Sequence, residues 1–67
     1  MRLRYLGKTA DSDDGQCEAL YATDRGTFIV QGKVVTDPQA IADLRDLGAD
    51  EAYVEVPPDV LRLAERA

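Results

Sequence analysis

Cys17 is the single thiol of a 67-residue chain that contains no histidine. A thiol becomes a useful nucleophile when a neighbouring base takes its proton, and the usual partner, an imidazole, is absent here. Cys17 also stands beside Ala19, Leu20 and Tyr21, where a cysteine is ordinarily a small core side chain. No Gly-x-Ser-x-Gly elbow lifts a serine into attack position. The 13 carboxylates could in principle supply an acid–base pair. Glycosidase-type chemistry needs two of them fixed across a cleft, and so short a chain can hardly enclose a sugar.

Metal and nucleotide chemistry fare no better on spacing. Asp11, Asp13 and Gly15 alternate as the start of a calcium loop does. An EF-hand, however, needs glycine at its sixth position and glutamate at its twelfth, and counting from Asp11 these are Gln16 and Ala22. The segment reads as a solvated acidic loop. Zinc lacks its common nitrogen ligand, and the five glycines form neither a Gly-x-Gly-x-x-Gly nor a Walker A run. The expectation is a chain that is not an enzyme and holds no cofactor and no metal.

Charge narrows the partners. The formal net charge is −5. Residues 1–33 balance Arg2, Arg4, Lys8, Arg25 and Lys33 against five carboxylates, so residues 34–67 carry the whole excess. That surface repels phosphate backbones and anionic lipid. The five cations of the first half could still form a small platform for nucleic acid on an arginine-bearing sheet face, which is the alternative reading. Against direct nucleic-acid contact stand the net charge and the lack of a recognition helix. A lone cysteine forms no internal disulfide. No run approaches the roughly 18 apolar residues of a membrane span, and the N-terminus lacks the apolar core of a signal peptide. A cytoplasmic protein without a membrane segment is expected.

The elements that must position these groups follow from periodicity. Met1, Leu3 and Tyr5 alternate with Arg2 and Arg4, the period of a half-buried strand over 1–6. Residues 17–23 and 27–31 are two arms of a hairpin, the first with Cys17, Ala19 and Tyr21 on one side, the second with Phe28 and Val30 sharing a face. Asp24-Arg25-Gly26 supplies the turn chemistry between them. Val34-Val35 follows a second turn and completes a meander. Thr36-Asp37-Pro38-Gln39 is a helix start, with Thr36 or Asp37 as cap, Pro38 in the first turn and Gln39 placed as in a capping box. Ile41, Leu44 and Leu47 line one face of that helix, and Gly48 is its expected left-handed stop. Residues 51–56 are again extended, and Pro57-Pro58 end them.

The predicted fold is therefore one small α+β domain over 1–67. It has a small antiparallel β-sheet, made of a three-stranded meander at 17–35 plus strands near 1–6 and 51–56, packed against one or two short helices at 38–47 and 58–66. The strand at 1–6 has two open pairings, with 51–56 or with the meander. A chain of this size buries only about 60% of its unfolded surface, so a protein partner or a second copy forming a homodimer would add burial. Tyr21 and Tyr53 are the candidate amphipathic contacts, and Arg25, at the turn tip, is the candidate charged one.

Several segments together resemble a known group. Tyr5-Leu6-Gly7-Lys8-Thr9, Cys17 with Leu20-Tyr21, Thr23-Asp24-Arg25-Gly26-Thr27, Val30-Gln31-Gly32 followed by Val35-Thr36-Asp37-Pro38, and Val54-Glu55-Val56-Pro57 look like short uncharacterised proteins of actinobacteria. Genes for those proteins often lie beside helix-turn-helix transcription regulators. The resemblance implies an accessory protein that acts with such a regulator, as its antagonist or as a toxin–antitoxin-like mate. It assigns no functional residue.

Overall fold

The structure, a computed structural model, describes residues 1–11 and 17–67. Three strands form the main sheet in the order β1-β2-β3: β1 (Leu3–Lys8), β2 (Ala19–Thr23) and β3 (Phe28–Gln31). Both pairings are antiparallel, with Tyr5 opposite Tyr21 and Tyr21 opposite Ile29. The first strand therefore joins the hairpin rather than residues 51–56. The hairpin turn forms as its residue types require. The Thr23 hydroxyl accepts from the backbone N–H groups of Arg25 (3.0 Å) and Thr27 (3.2 Å). Gly26 takes φ 77°, the left-handed value that closes a three-residue hairpin loop.

The α+β class holds, but the meander is composed differently from the expectation. Its third strand is β1, not Val34-Val35. The chain leaves the sheet after Gln31, and β4 (Lys33–Val34) pairs antiparallel with β5 (Val54–Glu55) as a separate two-stranded ribbon. The strand expected over 51–56 shrinks to those two residues. The physical reason is Gly32, which lets the chain close on residues 54–56, since a Cβ there would lie 2.7 Å from Val56 Cγ1 and 2.8 Å from the Glu55 carbonyl oxygen.

The faces also differ from simple alternation. In β1 the register slips between Tyr5 and Gly7, which oppose Tyr21 and Leu20. This bulge turns both Leu6 and Gly7 toward the side of Leu20. The core is Leu6, Leu20, Ala22, Val60 and Leu63, with Val56 and Ala64 packed against it. The helix-facing side of β2 is thus Leu20 and Ala22, while Ala19 and Tyr21 share the other side, where Ala19 is buried and Tyr21 half-buried. Leu3 and Tyr5, whose alternation predicted burial, are exposed. Gly7 sits at φ 148°, and a Cβ there would lie 2.9 Å from Leu63 Cδ2 and from Arg66 Nη1. Only glycine fits that backbone and that gap.

The covering layer is C-terminal. Pro57 and Pro58 end the extended run and start α2 (Pro58–Arg62), which continues as a 3-10 turn, Leu63–Arg66. Val60 and Leu63 are its buried residues, and together they span the stretch expected over 58–66. The other helix, α1 (Pro38–Ala42), is half the expected length of 38–47. Asp37 is its cap, accepting from the Gln39 N–H at 3.2 Å, so Thr36 and the capping-box geometry are not used. It buries no residue, and without tertiary packing an isolated helix of this length barely propagates. The left-handed residue beyond it is Asp46 (φ 55°), not Gly48.

Candidate functional site

The most tightly built polar contact lies between the strand end and the C-terminal helix. Thr9 is almost completely buried. Its N–H donates to the Glu18 carbonyl at 2.9 Å, which extends the β1–β2 ladder past the ends of both strands. Its hydroxyl donates to the Asp59 carboxylate, at 2.9 Å from Oδ1 and 3.1 Å from Oδ2. The Ala10 N–H donates to the same Oδ2 at 2.9 Å. The backbone donor at Ala10 holds the Asp59 carboxyl below its ordinary value. Desolvation opposes this, and the Thr9 hydroxyl, Arg62 and the Val60 amide add smaller lowering effects. Nearby, Arg66 Nη1 donates to the Leu6 carbonyl at 3.0 Å. The two contacts fasten the helical end to the strand. The open cleft beside them, about 350 Å³, is lined by both signs of charge, including Lys8, Asp59, Arg62 and Glu65.

Neither Thr9 nor Asp59 stands out in the sequence as a site residue. No local signal pairs residues 50 positions apart. Asp13, Asp14 and Gly15 of the acidic loop lie outside the described residues. Among the described residues no three His, Cys, Asp or Glu side chains are grouped as metal ligands. Cys17 is half-buried, and its carbonyl accepts from Gln31 Nε2 at 2.8 Å. No helix of the described residues is long and apolar enough to cross a membrane.

The five cations of the suggested platform do not come together. The Asp24 N–H donates to the Arg2 carbonyl at 3.2 Å, which places Arg2 beside the turn that carries Arg25. Arg4 is on the same strand, opposite Ala22. Lys8 is at the far end of β1, about 20 Å away at a strand's rise per residue. Lys33 belongs to the separate ribbon, and its Nζ lies 4.0 Å from Glu18 Oε2.

The three proposed protein contacts are also dispersed. Arg25 is exposed at the hairpin tip. Tyr21 is half-buried on the face of the sheet that carries no helix, its ring centroid 5.6 Å from that of Tyr5 at a 56° tilt. The Tyr21 hydroxyl donates to Gln31 Oε1 at 2.7 Å. Tyr53 is half-buried just before β5.

What the sheet does assemble is an apolar surface. Directly opposed residues share a face, so Tyr5, Tyr21 and Ile29 stand in one row across the three strands, with Leu3 beside them. Leu3 is 49% exposed, Tyr5 57% and Ile29 37%. The segment from β4 to β5 adds exposed Val34, Leu44, Leu47 and Val54. The signal for the first surface is the alternation of Leu3 and Tyr5, which marks them as one apolar set along β1. Searches against protein-family models, curated proteins and solved structures found no match.

Proposed function

We propose that this chain is a non-catalytic protein-interaction domain, accessory to or antagonist of a DNA-binding regulator of the helix-turn-helix type, in a cytoplasmic setting. The observation that carries the reading is the amount of surface left open. The accessible surface is 5408 Å², whereas a compact protein of this mass exposes about 4,200 Å². The radius of gyration is 13.1 Å, against about 11 Å for a compact chain of this length. Contiguous exposed apolar side chains of this kind mark surfaces that meet another macromolecule. The chemistry on the other side of the ledger is sparse. Cys17 has no imidazole to work with, and the Thr9, Thr23 and Thr27 hydroxyls are spent on structural hydrogen bonds.

The test is co-elution. Purified chain is mixed with the helix-turn-helix regulators of its own genome, those encoded nearest its gene first, and resolved by size-exclusion chromatography with light scattering. A complex of defined mass is the expected result. A chain that elutes apart from the regulator and retains no protein in a pull-down from its native extract would end the proposal.

A second reading rests on the closeness of Arg2 to the Arg25 turn, with Arg4 on the same strand. In that reading this end of the sheet touches a nucleic-acid backbone. Titration against mixed DNA and RNA separates the two, since phosphate binding weakens steeply with salt. Binding at low salt that is lost in Arg2→Ser and Arg25→Ser would favour the second reading, and no binding at low salt removes it.

A further inference from the structure

We infer that a second copy of this chain covers the helix-free face of the sheet, the two copies meeting about a two-fold axis through Leu3, Tyr5, Tyr21 and Ile29. The inference rests on the interaction-domain reading and names a first partner for it.

In the first half of β1 the strand pattern is inverted relative to a one-sided sheet. In such a sheet the apolar positions face the helices and the polar ones face water. Here Arg4 shares the helix side with Ala22 and Phe28, while Leu3 and Tyr5 share the open side with Tyr21 and Ile29. Helix α1 does not close that side, since it buries nothing and makes no substantial contact with the sheet. The period in β1 therefore marks a face for burial that the single chain leaves open.

The chemistry of the face suits a copy of itself. Strand positions on it carry no carboxylate and no arginine, and the one cation, Lys8, stands at its far rim. Two molecules of net charge −5 can bring this face together without placing like charges opposite each other. A strongly charged partner would find no complement there. The Tyr5 phenol can donate and accept, and the Tyr21 oxygen, whose O–H goes to Gln31, can accept, so the face can pair with a copy of itself. Two sheets pack face to face at about 10 Å with interdigitated side chains. Over the whole chain the surface in excess of a compact one is about 1,200 Å², of the same order as the roughly 800 Å² that each partner gives to a stable interface.

Sedimentation velocity of the full chain from micromolar to millimolar concentration tests this. Wild type should show twice the chain mass. Tyr5→Lys and Ile29→Lys should weaken self-association at least about tenfold, and Leu61→Lys, exposed on the helix side, should leave it unchanged. Circular dichroism checks that each variant is folded. Should the lysine variants not fold, dilution of wild type followed by NMR should shift the Tyr5 and Tyr21 ring signals. A wild type that is monomeric at millimolar concentration overturns the inference, as does a folded Tyr5→Lys that dimerises as tightly as wild type. A monomer that still binds the regulator removes only this inference. A dimer that binds nothing else removes only the regulator.

Discussion

The sheet with its C-terminal helical layer and the segment from Lys33 to Glu55 both contain large apolar side chains, and they use them differently. In the first region Leu6, Leu20, Ala22, Val60 and Leu63 converge on one another. In the second, Val34, Leu44, Leu47 and Val54 are all more than a third exposed, and none of its side chains is fully buried. Helix α1 has a proper cap and a first-turn proline yet stops after five residues. Helix α2 has no side-chain cap bond and is just as short, yet it is held down by Val60 and by the Thr9–Asp59 contact. Local end signals start a helix, and burial decides whether it becomes part of a core.

The strongest way to break this contrast is to delete methylenes on each side of it. Leu20→Ala should cost about 3 kcal/mol in urea unfolding, a large share of the stability of so small a domain. Leu44→Ala should cost less than about 0.5 kcal/mol, as exposed positions do. Equal losses would mean that the two regions form one cooperative core. Next in size is Gly7→Ala, where positive φ and the contact with Leu63 together should cost about 2 kcal/mol. Gly26→Ala has the same kind of backbone but open space around it, and should cost about 1 kcal/mol.

Acid sharpens the contrast further. The Asp59 carboxyl titrates lower in the folded chain than in the unfolded one. Its contribution to stability is therefore complete above the ordinary carboxylate value of about 4. It is lost as pH falls through the depressed native value. The difference in melting temperature between wild type and Asp59→Asn should accordingly be constant near neutrality and shrink as pH falls below about 4. A difference that persists undiminished at the lowest pH would show that the carboxylate does not hold Thr9 and Ala10 in place. The smallest effect is expected at Lys33→Met. Its 4.0 Å pair with Glu18 is largely solvated at the lysine end, so denaturant unfolding should move by less than about 0.5 kcal/mol.

Much of the fold was legible in the residues. The hairpin of β2 and β3, its Asp24-Arg25-Gly26 turn, the strand near the N-terminus and both helix starts follow from β-branched runs, turn residues and prolines. Those signals are local, and the structure keeps them. The lengths of α1 and β5 were not legible, because Ile41, Leu44, Leu47 and the residues around Tyr53 have the right spacing but nothing to pack on. The side of the sheet chosen for the core was misread for a related reason. Alternation in β1 divides its side chains into two sets but does not say which set meets a helix, and a one-residue bulge after Tyr5 puts Gly7 on the same side as Leu6 and Lys8 on the other. Of the suggested contact residues, Arg25 is at an exposed tip as its turn implied. The row of Tyr5, Tyr21 and Ile29 emerged only when register put three strands side by side.

The sequence by itself determined the kinds of element, the turn that joins β2 to β3, the charge imbalance between the two halves and the lack of a histidine partner for Cys17. These depend on residue type and near-neighbour spacing, which the linear order contains in full. The tertiary structure alone decided that β1 lies against β2, that Thr9 meets Asp59, and that α2 with its 3-10 turn covers Leu6 and Leu20 while Leu3 and Tyr5 stay open. Those outcomes turn on contacts between residues far apart in the chain, where many pairings satisfy the same local pattern and only simultaneous packing selects one.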